Sequence, residues 1–111
     1  MTFTWARAEA IRAIEEGRVQ HEARDAVDEK NLLLTGDVTP EQVVRLLKAC
    51  RGTQYACSPH HLVPTVDVHV FKPEARVEPA AEKKRWYIKL YFLEPDVWFI
   101  SVHASAPESK R

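Results

Sequence analysis

Between Trp86 and His103 the chain reads WYIKLYFLEPDVWFISVH, and its residues sort into two alternating sets. Successive side chains of a strand point to opposite faces, so alternation assigns each residue to a face. Trp86, Ile88, Leu90 and Phe92 alternate with Tyr87, Lys89, Tyr91 and Leu93, and Trp98, Ile100 and Val102 alternate with Phe99, Ser101 and His103. Glu94-Pro95-Asp96 has the composition of a turn. A three-residue loop there pairs Phe92 with Trp98, Leu90 with Ile100 and Ile88 with Val102 on one apolar face. The other face then pairs Tyr91 with Phe99, Lys89 with Ser101 and Tyr87 with His103. A slip of one residue mixes the sets and buries the lysine and the histidine, so burial favours this register. TVDVHVF, residues 65–71, is a second strand pattern, in which Val66, Val68 and Val70 alternate with Asp67, His69 and Phe71.

Helical spacing dominates the first half. Thr4 can cap a helix with Trp5, Ala8, Ile11 and Ile14 inward and Gly17 as its stop. Ala23, Ala26 and Val27 mark a second helical piece, and Leu32-Leu33-Leu34 runs into a loop at Gly36. Thr39-Pro40-Glu41-Gln42 joins a threonine cap, proline at the first helical position and glutamine at the third. It predicts a helix over 40–51 burying Val43, Val44, Leu46, Leu47 and Cys50, ended by Gly52. QYACSPHHLVP is a loop or short strand, and KPEARVEPAAEKKR, residues 72–85, reads as a mobile connection. Helices first and at least three antiparallel strands after them make an α+β fold, with N-terminal helices packed on the apolar face of a small antiparallel sheet.

A length of 111 residues fits one domain over 1–111. Sixteen basic and sixteen acidic residues cancel, which leaves no case for membrane attachment and no basic surplus for a nucleic acid. No apolar run approaches a membrane span, MTFTWARAEAIR lacks the hydrophobic block of a signal peptide, and the two cysteines make no disulfide framework, so a cytoplasmic location is expected. Cys50, Cys57, His60 and His61 are enough in number for zinc, but they lack a paired C-x-x-C element, and Cys50 falls on the buried helix face. No metal or cofactor is expected.

Four of the five histidines lie in the second half, where the strands are. An antiparallel arrangement of the strand patterns would gather Asp67, His69, Phe71, Tyr87, Lys89, Tyr91, Ser101 and His103 on the face opposite the helices. Histidines, a lysine and tyrosines among aromatics suit acid/base work on a phosphodiester, with rings on which bases stack.

These residues bear a resemblance to a known family. The layout, the helix–glycine–basic–valine step of IRAIEEGRV, the gapless spacing from Tyr55 to Pro73 and the strand TVDVHVFKP resemble the MqsR toxins, members of the RelE-like ribonuclease toxins of bacterial toxin–antitoxin pairs. The tyrosine of WYIKLYF falls on an active-site tyrosine of that family, and FISVH falls where the family has a strand ending in lysine. Two functional positions differ, since the family's lysine corresponds to Ala56 and its glutamine to Val68; its terminal lysine is replaced by His103.

The resemblance implies a RelE-like fold and a metal-independent mRNA endoribonuclease, an mRNA interferase, held inactive by a cognate antitoxin protein. RNA cleavage of this kind needs a base for the 2′-hydroxyl, an acid for the leaving 5′-oxygen and a cation for the phosphorane. Imidazole serves both proton transfers near neutrality. His103 is the first choice, with His69 or His60 as the second group. Lys89 and Arg76 are candidates for charge stabilisation, Tyr87 for orienting phosphate or histidine, and Tyr91 and Phe71 for base stacking. A non-catalytic binding or regulatory module of the same fold is the alternative, and it would account for Ala56, Val68 and the balanced charge.

Overall fold

A computed structural model describes residues 2–22, 31–77 and 82–104. The helical piece expected around Ala23, Ala26 and Val27 lies outside the described residues. Helix α1, Phe3–Glu15, starts at Thr2, whose hydroxyl accepts from the Trp5 N–H, two residues before the expected cap. Its buried face is Ala6, Ala10, Ala13 and Ile14, while Trp5 is 37% exposed. Alanines let the helix lie close to the sheet, and the larger Trp5 packs at the rim against Phe92 and His69. Gly17 then reverses the chain at φ 75°.

Strand β1, Val19–His21, follows. Helix α2, Leu32–Thr35, is a single turn capped by the Asn31 side chain and stopped by Gly36 at φ 87°. Helix α3, Pro40–Ala49, has the expected capping box: the Thr39 hydroxyl accepts from the Gln42 N–H, and the Gln42 side chain accepts from the Thr39 N–H. Val43, Val44, Leu46, Leu47 and Cys50 are buried as their spacing predicts. The Arg7 guanidinium, stacked over Phe3, donates to the Cys50 carbonyl and ties α1 to the end of α3.

After a single 3-10 turn at Gly52–Gln54 the chain enters β2, Tyr55–Pro59, then β3, Asp67–Phe71, and β4, Glu74–Ala75. The long hairpin is β5, Lys84–Leu93, and β6, Asp96–Ala104. The sheet order is β1-β6-β5-β3-β2, with β4 paired to the start of β5. Strand β1 runs parallel to β6 and the other pairs are antiparallel, so the α+β class holds with a mixed sheet in place of the wholly antiparallel one expected. Segment 72–85 is not the featureless connection its composition predicts: Pro73 and Val77 are buried, and β4 adds a short ladder.

Helices α1 and α3 cover one side of the sheet. Their core includes Ala10, Leu46, Leu47, Phe71, Ile88, Leu90, Phe99 and Val102, all fully buried. Each large apolar side chain removed from water there contributes about 1.5–3 kcal/mol before the entropy cost of ordering it. Among the described residues no helix is long and apolar enough to cross a membrane.

The hairpin keeps the predicted register in its lower half, with Ile88 opposite Val102, Lys89 opposite Ser101 and Tyr87 opposite His103. Its upper half is shifted. The turn has two residues, Glu94 and Pro95, joined by a cis peptide, so Leu90 faces Phe99, Tyr91 faces Trp98 and Phe92 faces Val97. An irregularity beside Lys89 and Leu90 absorbs the difference and leaves Ile100 as the extra residue. Phe99 thereby enters the helix-side core, and Trp98 moves to the open side.

Strand β2 forms the free edge. Hydrogen bonds from Lys72 N–H to the Gln54 carbonyl and from His60 N–H to the Val66 carbonyl set which backbone groups face β3. By alternation Tyr55, Cys57 and Pro59 direct theirs outward, and Pro59 has no N–H to offer an incoming strand.

Candidate functional site

The open face of the sheet divides into rows of directly opposed residues. In the middle row Ala56, Val70, Lys89 and Ser101 lie side by side on β2, β3, β5 and β6. Toward the hairpin turn the next row holds Ser58, Val68, Tyr91 and Trp98. In the opposite direction is the pair Tyr87 and His103.

Tyr87 and His103 are both half-buried, and their rings stack with centroids 5.2 Å apart and planes 28° from parallel. His103 Nδ1 lies 3.3 Å from the Ala104 carbonyl. A carbonyl only accepts, so Nδ1 carries the hydrogen and, in the neutral ring, Nε2 keeps its lone pair. A histidine held in that tautomer beside a phenol can take a proton at one atom while its neighbour supplies one at another. Lys89 and Ser101 occupy the adjacent row, about 7 Å along the strands.

The other histidines do not join them. His69 is buried on the helix side, opposite Leu90. Its Nδ1 shares a hydrogen bond with the Tyr55 hydroxyl at 2.7 Å, and its ring packs against Trp5 and Phe92. Burial lowers the His69 pKa and pushes the Tyr55 hydroxyl up to about 12. In both cases burial disfavours the charged form. Phe71, expected as a stacking surface, is fully buried in the same core. The assignment of β3 faces is therefore the reverse of the expected one. Val68 and Val70 share the open side with Tyr91 and Lys89, because the phenylalanine fills the larger core and the histidine finds a hydroxyl partner there.

His60 is on the open side but is a structural group. It is 5% exposed, with Nε2 3.0 Å from a Glu22 carboxylate oxygen, and Nδ1 accepts from the Leu62 and Val63 N–H groups. Two backbone donors at Nδ1 put the ring hydrogen on Nε2, where Glu22 receives it. Segment 60–66 is in this way strapped over the turn end of the open face, with His60 edge-on to Tyr91. Tyr91 is four residues along β5 from Tyr87, about 13 Å, which separates His60 from His103.

Tyr91 is itself only 7% exposed, in a small second core with Val68 and Ile100, so it offers no free ring for a base. Trp98, which its spacing places in the main core, is half-buried on the open side with its plane 12° from that of Tyr91. Arg76 is exposed just past β4, at the level of Lys83, about 13 Å from the Tyr87 row. The expected set thus reduces to Tyr87, His103 and Lys89, with Ser101 beside them.

One cation was missed. Phe71 opposite Ile88, together with the hydrogen bond from Trp86 N–H to the Pro73 carbonyl, carries the β3–β5 ladder one step past β3 and sets Lys72 opposite Tyr87. Alternation after Val68 and Val70 could have signalled it, had the face been assigned correctly. Comparison with protein-family models, curated proteins and solved structures finds no match.

Proposed function

We propose that the protein is an RNA-cleaving toxin of MqsR type within the RelE-like ribonucleases, working in the cytoplasm under the control of an antitoxin. The observation that carries the reading is the stacked Tyr87–His103 pair, with the His103 tautomer set by the Ala104 carbonyl and Lys89 and Ser101 in the next row. A second observation supports it: Ala56, Val68, Tyr87 and His103, the positions marked by the resemblance, share one face of the sheet.

On this reading His103 Nε2 accepts the proton of a ribose 2′-hydroxyl. The 2′-oxygen attacks the adjacent phosphorus, the bond to the 5′-oxygen breaks, and the Tyr87 hydroxyl protonates that oxygen. The products are a 2′,3′-cyclic phosphate and a 5′-hydroxyl, and proton return through water restores Tyr87 and His103. Lys89 offsets the charge that builds on the phosphorane oxygens. Tyr87 takes the acid role for which a second histidine was expected.

The accessible apolar part of the open face, Ala56, Val70 and Trp98, favours a second reading as a protein-binding module. Induced expression separates the two. Growth arrest with new RNA cuts by the wild type, lost in His103→Ala and reduced at least about 100-fold in vitro in Tyr87→Phe, is the expected result. Normal growth and intact RNA from folded, well-expressed wild type would overturn the ribonuclease reading in favour of the binding module.

A further inference from the structure

We propose that Lys72 seats the substrate phosphate, and that the substrate is a single-stranded RNA whose backbone crosses the strands at the Tyr87–His103 row. The inference rests on the ribonuclease reading and adds to it a residue, a strand state and a direction.

Lys72 is opposite Tyr87, and Tyr87 is opposite His103. With strands about 4.8 Å apart, Lys72 and His103 flank Tyr87 at a Cα separation of about 10 Å, a span that one phosphate and its ribose fill. Lys72 is exposed, and its ammonium has no ion-pair partner among the described residues. Arg85, the neighbouring cation at this end, is already paired with Glu74 at 3.5 Å. Lys89 adds a second positive charge one row away.

The other end of the same face repels a polyanion. Strap 60–66 covers it, and Glu94 and Asp96 lie at the hairpin turn, where the nearby Arg18 donates to the Pro95 carbonyl and is already paired with Glu16. A backbone running along the strands would pass from the lysines into these carboxylates. One crossing the strands stays among Lys72, Tyr87 and His103. That path touches few phosphates, as a flexible single strand allows.

The test uses a fluorescent 2′-O-methyl oligoribonucleotide of eight residues, which binds but has no 2′-hydroxyl to react. Two lysine–phosphate contacts on a single strand give a slope of log affinity against log salt of about −1.4, so affinity falls about sevenfold between 50 and 200 mM. Lys72→Ala is expected to bring the slope to about −0.7, a fall of about 2.6-fold over the same range, and Lys72→Arg to restore it. Binding with an unchanged slope in Lys72→Ala would overturn the role of Lys72 and leave the ribonuclease reading standing. Absence of binding by the wild type at 50 mM, or equal preference for a duplex, would overturn the substrate assignment. Unmodified RNA of the same sequence, assayed beside it, reports separately on cleavage.

Discussion

His60→Ala distinguishes a strap from a catalyst. The wild-type side chain accepts two backbone hydrogen bonds, donates one to Glu22 and packs edge-on against Tyr91. Each hydrogen bond contributes about 1 kcal/mol net, and the aromatic contact adds about 0.5–1.5 kcal/mol. Leu62 and Val63 are exposed, so water replaces part of what their N–H groups lose, while Glu22 keeps a largely buried carboxylate with one donor fewer. The expected loss is about 2–3 kcal/mol. An unfolding entropy of about 2.1 cal/mol/K per residue makes 1 kcal/mol worth about 4 °C in a chain of 111 residues, so Tm should fall by about 10 °C. Differential scanning calorimetry or urea unfolding measures it, with RNA cleavage assayed on the folded fraction. A Tm within about 3 °C of the wild type would refute the strap, and full stability with abolished cleavage would return His60 to the catalytic set.

Removal of the Phe99 ring from the helix-side core should cost about 3–5 kcal/mol, so urea unfolding of Phe99→Ala should show a midpoint shift at unchanged slope. Thr39→Ala removes the hydroxyl half of the α3 capping box, leaving the backbone N–H that donates to Gln42, and should cost about 1 kcal/mol by the same assay. Burial lowers the pKa of His69 and of His21, so the unfolded chain binds more protons than the folded one as each titrates. Their contribution is fully present above the unfolded value of about 6.5 and is lost as pH falls through the folded value; urea midpoints should therefore drop from pH 7.5 to pH 5, and less steeply in His69→Asn. Tyr55→Phe leaves buried His69 Nδ1 without its hydrogen-bond partner and should cost about 1–3 kcal/mol at pH 7.5, measured by thermal unfolding.

Where local chemistry decides the structure, the sequence was readable. Helix α3 announces its start through Thr39, Pro40 and Gln42, and its apolar spacing names the residues it buries; it ends at Ala49, two residues before the expected Arg51. The lower hairpin was equally plain, since only one register keeps Lys89 and His103 out of the core, and that register brings Tyr87 onto His103. Packing decides the rest. In α1 the buried face is Ala6, Ala10, Ala13 and Ile14, and of the expected Trp5, Ala8, Ile11 and Ile14 only Ile14 belongs to it, because alanines carry a weak apolar signal beside the larger Trp5 and Ile11. In β3 both alternating sets are apolar enough to be buried, and only the partner available to His69 settles which one faces the helices. A bulge is invisible to strict alternation, so Trp98 and Phe99 exchanged sides. Strand β1, three residues long and parallel to β6, has no pattern of its own to read.

The pairing of β1 with β6 joins Val19–His21 to Val97–Phe99. During synthesis the first strand must wait for nearly all the later residues before its partner exists, and β5 likewise awaits the return arm of its hairpin. Helices α1 and α3, both local, are able to form early, yet they have no finished sheet to lie on until the last strand arrives. The nascent chain therefore displays its apolar helix faces until β6 has been made, and the Tyr87–His103 row comes together only with that strand. A chain released before residue 97 should have neither a completed sheet nor the Tyr87–His103 pair, so partial translation products of this protein are expected to lack the stacked row altogether.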